Sequence, residues 1–317
     1  MIVIEKYSDE NKDLWNEFNA NSKNSMFMFD RNYMDYHRDR FKDTSLIFYS
    51  DGNPIALFPA CEIDNCLISH GGLTYGGFIT NEKMKQHTMN DCFDALVQYA
   101  EKLGFEDIVY KTIPHIYHLQ PAEEDCYSLY AHGAKLITVD ASTVINMSDP
   151  LKMSKGRKAQ ISRAKREGVE IKVLSELSDY ENFIDLENAI LEERHNTHAV
   201  HTAAELKLLH DRFPESIKLF GAIKDGKLIA GTVIYIYNKA IHTQYMAAND
   251  EARTIGALDL AVTTVIDEYK TSKLWADFGI STEHGRIYLN EGLIAQKEGF
   301  GGRTNTYNIW KIGVKAK

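Results

Sequence analysis

Nowhere in the 317 residues do about eighteen apolar side chains run together, so no helix is expected to cross a membrane. The N-terminus, Met1 to Asp13, holds a brief apolar run followed by acids, with no basic stretch before it and no cleavage pattern. A secretory signal is therefore not expected, and the chain is expected to act in the cytoplasm. Cysteine is scarce. Cys61, Cys66, Cys92 and Cys126 fit no zinc or redox spacing, which points to small buried thiols in a reducing compartment rather than a disulfide framework. Basic residues are outnumbered, 36 Lys and Arg against 45 Asp and Glu, and the net charge of −9 argues against binding nucleic acid over the whole surface. No low-complexity linker interrupts the chain.

What is present is a globular composition, 44% hydrophobic and 26% charged, on a chain long enough for two domains with a core each. In the second half, Val169–Leu174 alternates as a strand after Gly168, a helix stop. Ser178–Glu181 and Thr202–Glu205 read as capping boxes opening two helices, the first with Phe183, Leu186 and Ile190 on one side, the second ending before Pro214. Three hairpin strands follow, Ile217–Ile223, Leu228–Tyr237 and Ile241–Ala248, turning at Asp225-Gly226 and Asn238-Lys239. A loop from Asn249 to Gly256 leads into a helix, then a strand at Leu274–Phe278, a helix over Arg286–Gln296 and a last strand.

The first half has nearly the same order. A strand at Ile2–Glu5 precedes helices near Asp13–Asn19 and Arg31–Arg40, then strands at Ser45–Tyr49, Ile55–Ile63 and Cys66–Ser69. A glycine-rich loop, Gly71–Gly77, is followed by a helix at Asn90–Leu103, a strand at Asp107–Lys111, a helix over Ala122–Ala131 and the stretch Leu136–Met147. The turns Asp51-Gly52 and Asp225-Gly226 fall at the same place in each half. The expectation is an α/β (α+β) chain of two tandem domains, 1–145 and 146–317. Each is a mixed, mostly antiparallel sheet flanked by helices, and the last strand could pack on the first domain.

Chemistry is densest between Trp275 and Arg303. A strand that stops on Asp277-Phe278-Gly279 delivers an acidic group to the rim of a sheet. A helix that ends on Lys297, beside Gly299, Gly301 and Gly302, places an ammonium where backbone can approach a ligand. The cations from Lys152 to Arg166, Lys155 and Arg157 among them, run without an acid before Glu167. They could attract the phosphates of a tRNA or of an anionic precursor at a membrane surface, and they are equally what a solvated helix face looks like. No aromatic residue interleaves with them, so base stacking is not indicated. His195, His198 and His201 are spaced by three but cross a helix end and a loop, which argues against a metal site. The other reading of this stretch is a polar loop facing an acceptor, in which His198 could serve as a base or hydrogen-bond donor.

The element order is that of the GNAT acyltransferase fold, and the chain resembles the FemABX family, the peptidoglycan-bridge aminoacyltransferases and their relatives. Three pieces carry the resemblance: the basic helix Gly156–Gly168 with Val169, the hairpin Asp225–Gly231, and Asp277-Phe278-Gly279 with Asn290–Leu293 and Lys297–Gly301. They span most of the second half, whereas the first half matches only in element order. Between Val173 and Ile217 there is no room for the long antiparallel helical arm of the staphylococcal members.

The resemblance implies transfer of an acyl or aminoacyl group to an amine of a cell-envelope precursor or related small molecule. It implies no tightly bound cofactor, and acetyl- or acyl-coenzyme A or an aminoacyl-tRNA as donor. Lys297 would stabilise the oxyanion or bind the donor's phosphate or ribose. Arg194 would contact a phosphate-bearing acceptor, with His198 where the family has an aromatic residue, and Tyr245 would stand at the acceptor site. Arg253-Thr254-Ile255-Gly256 is similar to the GNAT pyrophosphate loop, with Leu258 in place of its final small residue, and implies a coenzyme A contact at Arg253 and Gly256. An acetyl-coenzyme A N-acetyltransferase and a non-catalytic GNAT-fold binding protein are the alternatives, because no residue declares itself the general base.

Overall fold

The computed structural model describes residues 1–283 and 287–314, and the side chains of Arg194 and His195 lie outside that description. The chain divides into two units, Met1–Asp140 with Thr306–Lys317, and Ala141–Asn305.

The first unit comprises β1 (Ile2–Lys6), α1 (Lys12–Ala20), α2 (Arg31–Met34), β2 (Lys42–Asp43), β3 (Leu46–Ser50), β4 (Asn53–Phe58), β5 (Cys61–Ile63), β6 (Cys66–Ile68), β7 (Ile79–Thr80), α3 (Gln86–Lys102), β8 (Asp107–Lys111) and α4 (Glu124–Ala131). One sheet has the order β1-β3-β4-β7, all antiparallel. In the other, β2 pairs with β5, β5 with β6, β6 parallel with β8, and β8 antiparallel with Ile309–Gly313. The expected strand Ile55–Ile63 is in fact β4 and β5, which lie in different sheets. Pro59 between them has no N–H to continue a ladder. The expected helix Arg31–Arg40 stops at Met34 and tightens into a 3-10 turn at Asp35–His37. Phe48, Phe58, Phe78, Phe93 and Tyr110 fill the core. The glycine-rich loop is a close turn: a Cβ on Gly76 would lie 2.3 Å from the Ser69 carbonyl oxygen. The Tyr75 hydroxyl shares hydrogen bonds with Tyr117 (2.9 Å) and Tyr307 (2.7 Å).

The second unit begins within β9 (Lys135–Asn146). It continues through α5 (Lys155–Arg166), β10 (Glu170–Leu174), α6 (Leu177–His195), α7 (Ala203–Arg212), β11 (Ile217–Lys224), β12 (Lys227–Ile236), β13 (Ala240–Ala248), α8 (Asp250–Ile255), α9 (Ala257–Tyr269), β14 (Trp275–Ile280), β15 (Thr282–Glu283), β16 (Tyr288–Leu289), α10 (Glu291–Glu298) and the start of β17 (Arg303–Gly313). Its sheet runs β10-β11-β12-β13-β14-β9, and only β13 and β14 are parallel. The Asp225-Gly226 turn has φ of 49° and 74°, the left-handed pair that a tight hairpin needs.

Helix α6 starts one residue before the expected box. The Asp179 carboxylate accepts from the N–H groups of Ser175 (3.2 Å) and Glu176 (3.0 Å), so Leu177 is the first helical residue. Its buried side chains are Tyr180, Phe183, Ile184 and Glu187, whereas Leu186 and Ile190 are half-buried. Gly231 of β12 admits the helix, since a Cβ there would lie 3.0 Å from the Phe183 ring. Helix α10 begins at Glu291, capped by Asn290, whose side-chain oxygen accepts from the Leu293 N–H at 2.9 Å. The expected start, Arg286, lies outside the described residues, and β16 stands between. Among the described residues no helix is long and apolar enough to cross a membrane.

Candidate functional site

Strands β13 and β14 pair over only three positions, Ala240–His242 with Trp275–Asp277, and then part. Each has a local cause. In β13 the register against β12 slips, Val233 facing Tyr245 and Ile234 facing Thr243, so Gln244 is an extra residue that bends the strand. In β14, Gly279 turns left-handed at φ 71°, and the register against β9 slips between Asp277 and Ile280.

Asp277 and Lys297 hold that bent strand end. The Asp277 carboxylate is 1% exposed and accepts from the Ser142 hydroxyl (2.6 Å) and the Gly279 N–H (2.9 Å), with His242 Nδ1 at 3.3 Å from its other oxygen. Lys297 is 4% exposed, and its Nζ donates to the carbonyls of Gly279 (3.0 Å) and Ile280 (2.7 Å). Burial brings its ammonium down to about 8, against the pull of Asp277. The two residues that the sequence picked out at opposite ends of the segment thus come together. The neighbouring glycines serve the chain's own packing: a Cβ on Gly301 would lie 2.4 Å from the Leu151 carbonyl oxygen, and one on Gly302 would lie 2.5 Å from the Thr143 methyl.

Beside the parted strands lies a cleft of roughly 360 Å³, lined by residues of α5, α6, β13, α8, α9 and α10. Arg157, Arg253 and Gly256 all border it. Arg157 Nη1 meets both carboxylate oxygens of Asp259 at 2.6 and 2.7 Å, and its guanidinium lies 5.2 Å from the Phe300 ring centre. Arg253 pairs with Asp250 at 2.9 Å. The expected open loop from Asn249 to Gly256 is instead the short helix α8, capped by Asn249, whose side chain accepts from the Ala252 N–H at 2.8 Å. Gly256 is left-handed (φ 81°), and a Cβ there would lie 2.7 Å from the Gln160 carbonyl oxygen, so this glycine lets α5 approach. Lys155 is exposed on α5.

On the other side of β13, Tyr245 meets a histidine, and it is His201. Its Nδ1 lies 2.6 Å from the Tyr245 hydroxyl, and both rings are largely enclosed, which pushes the phenol up to about 12. His198 is exposed three residues away. The Arg194 side chain lies outside the described residues. Next to this pair stands a group that sequence reasoning missed, Glu187 of α6. It is 8% exposed, and burial pushes its carboxyl up to about 7. The signal was available: Glu187 occupies a core position of the stripe Tyr180, Phe183, Ile184, Glu187, where the helical period calls for an apolar side chain. Among the described residues no cluster of three or more His, Cys, Asp or Glu could hold a metal ion.

Residues 152–284 match the family described as an acetyltransferase (GNAT) domain. FemX is similar over 98% of this chain and 97% of its own at 10% identity, with a TM-score of 0.70. The C-terminal domain of a putative lysylphosphatidylglycerol synthetase from Agrobacterium fabrum is similar over 82% of this chain and 81% of its own, at 15% identity and a TM-score of 0.58. A tandem GNAT protein from the clavulanic acid biosynthesis pathway covers 100% of both chains at 10% identity, with a TM-score of 0.57. A comparison with curated protein sequences finds no match. The chain therefore has the tandem GNAT fold, an α/β architecture of mixed sheets with flanking helices.

Proposed function

We propose that this chain is an acyltransferase that moves an acyl or aminoacyl group onto an amine of a cell-envelope precursor or related small molecule. One observation carries the reading: β13 and β14 part after His242 and Asp277 beside a cleft large enough for a small ligand. Parted strands leave backbone N–H groups without a ladder partner, and such a donor polarises an ester or thioester carbonyl that enters the gap. In this reading the donor lies in the cleft bounded by Arg157, Arg253 and Gly256. Lys297 and Asp277 keep the strand end open and rigid. Tyr245 faces the acceptor, with Arg194 in the last turn of α6 and His198 on the segment leaving it, and Lys155 lies on the approach.

The likeness to FemX and to a protein named as a synthetase of lysylphosphatidylglycerol, an aminoacyl lipid, supports aminoacyl transfer. The likeness to the clavulanic acid pathway protein, described without AcCoA, supports an acetyl-coenzyme A donor. Mass spectrometry of the small molecules and RNA retained by the native protein tests the reading directly. Acetyl-coenzyme A binding near micromolar affinity, weakened by Arg253→Ala, selects the thioester donor. Salt-sensitive binding of charged tRNA, weakened by replacing Lys155 and Lys158, selects the aminoacyl donor. Retention and consumption of neither donor would reject transfer in favour of a binding protein.

A further inference from the structure

We infer that Glu187 receives the acceptor's ammonium group, binding it as a carboxylate and then taking the proton it must lose, so that the acceptor is a cationic amine rather than an alcohol. The inference rests on the acyl-transfer reading and names the acceptor chemistry of that same site.

The first support is position. Glu187 lies on the face of α6 that packs against β12 and β13, in register with Tyr180, Phe183 and Ile184. An apolar residue there would complete the stripe at no electrostatic cost. A buried carboxylate is instead a standing penalty, and such a group is retained where a ligand supplies a counter-charge. The second support is the lack of a built-in partner. Among the described residues no hydrogen bond or ion pair reaches the Glu187 carboxyl. The phenol of Tyr245, whose hydroxyl is engaged with His201, is an electrostatic neighbour of that carboxyl. The third is location. Glu187 acts electrostatically on the Tyr245 phenol, and Tyr245 directly follows Gln244, the extra residue at which β13 bends away from β14, so the carboxyl stands close to the parted strands.

The chemistry balances. An acceptor arrives as R–NH3+ and gives one proton to the Glu187 carboxylate. The freed amine attacks the donor carbonyl, forming the C–N bond. The bond from that carbon to the donor's sulfur or ribose oxygen then breaks. The nitrogen's second proton goes to the departing atom, and the third stays in the amide. Glu187 returns its proton to water. A base that titrates near neutrality suits this task, because it is ionised at working pH and still basic enough to accept.

The test uses the full chain with two probes of matched shape, n-butylammonium and n-butanol, at about pH 8. The wild type should bind the ammonium at least tenfold more tightly than the alcohol. Glu187→Gln, which keeps the shape and removes the charge, should lose that preference, and Glu187→Asp should keep part of it. Equal binding of the two probes, or a preference that survives Glu187→Gln in a protein with native circular dichroism, overturns the inference. A donor assay separates this from the parent reading. Amine-dependent transfer should fall roughly 10²–10⁴-fold in Glu187→Gln with donor affinity unchanged, and the rise of kcat/KM through neutral pH should flatten. If the ammonium preference depends on Glu187 but the wild type transfers nothing from acetyl-coenzyme A or charged tRNA, the transferase reading fails and the ammonium site stands. If transfer is indifferent to Glu187→Gln, the inference fails and the transferase reading stands.

Discussion

Replacing Glu187 with glutamine should stabilise the protein in alkali and do so much less in acid. The carboxyl titrates near 4.5 when exposed and is raised to about 7 by burial in the folded chain. A raised carboxyl value means that the folded state holds its proton more tightly than the unfolded state. The stability it contributes is complete below about 4.5 and is lost as pH rises through about 7. At about pH 8.5 the wild type bears the full penalty of a charged, desolvated carboxylate, near 3 kcal/mol for a shift of this size. At about pH 5 it bears less than 1 kcal/mol. Glutamine does not titrate, and whatever its buried amide costs is the same at both pH values. The stability difference between variant and wild type should therefore move by about 2.5 kcal/mol across that range, or roughly 5–10 °C in Tm for a unit of this size. Urea unfolding of both proteins at several pH values, followed by tryptophan fluorescence and circular dichroism, measures it. A difference that stays constant within about 0.5 kcal/mol would refute the reasoning, because it would mean that the carboxyl is well solvated in the folded chain.

Four further outcomes are expected. Arg157→Met should destabilise by roughly 3–5 kcal/mol, because it strands the buried Asp259 carboxylate, and Arg157→Met with Asp259→Leu should recover most of the loss in denaturant titrations. Gly256→Ala puts a side chain at a left-handed position within 2.7 Å of the Gln160 backbone, and should lower both thermal stability and donor affinity measured by calorimetry. Lys297→Ala removes two bonds to the bent end of β14 and leaves a cavity, a loss on the order of 2–4 kcal/mol; because its folded value is lowered from 10.5 to about 8, the wild type should also gain stability as pH rises between those values while the variant does not. Tyr245→Phe leaves the buried His201 without its phenol partner and should cost about 1–2 kcal/mol, read by the same denaturant titrations.

Much of the architecture was legible from local chemistry. Asp225-Gly226 can hardly do other than turn a hairpin, and the Thr202–Glu205 box forms, with the Thr202 N–H donating to the Glu205 carboxylate at 2.7 Å. The misreadings are also local, and each turns on a competing residue. Pro59 splits one expected strand, Asp179 starts α6 early by accepting two backbone N–H groups, and Asn290 delays α10. The site was legible only as a roll of residues. Lys297, Asp277, Arg157 and Arg253 were visible as charges, but the carbonyl partners of Lys297 and the counter-charge of Arg157 come from elements far away in the chain.

The sequence by itself determined the order of strands and helices, the hairpin turns and the tandem repetition of one fold, because periodicity, turn residues and caps act over a few neighbours. Only the tertiary structure decided that Lys297 turns inward onto the Gly279 and Ile280 carbonyls, that His201 rather than His198 meets Tyr245, and that Glu187 is buried beside the Tyr245 phenol. Desolvation and pairing depend on what lies within a few ångströms in space, and the groups concerned are 17, 44 and 58 positions apart along the chain.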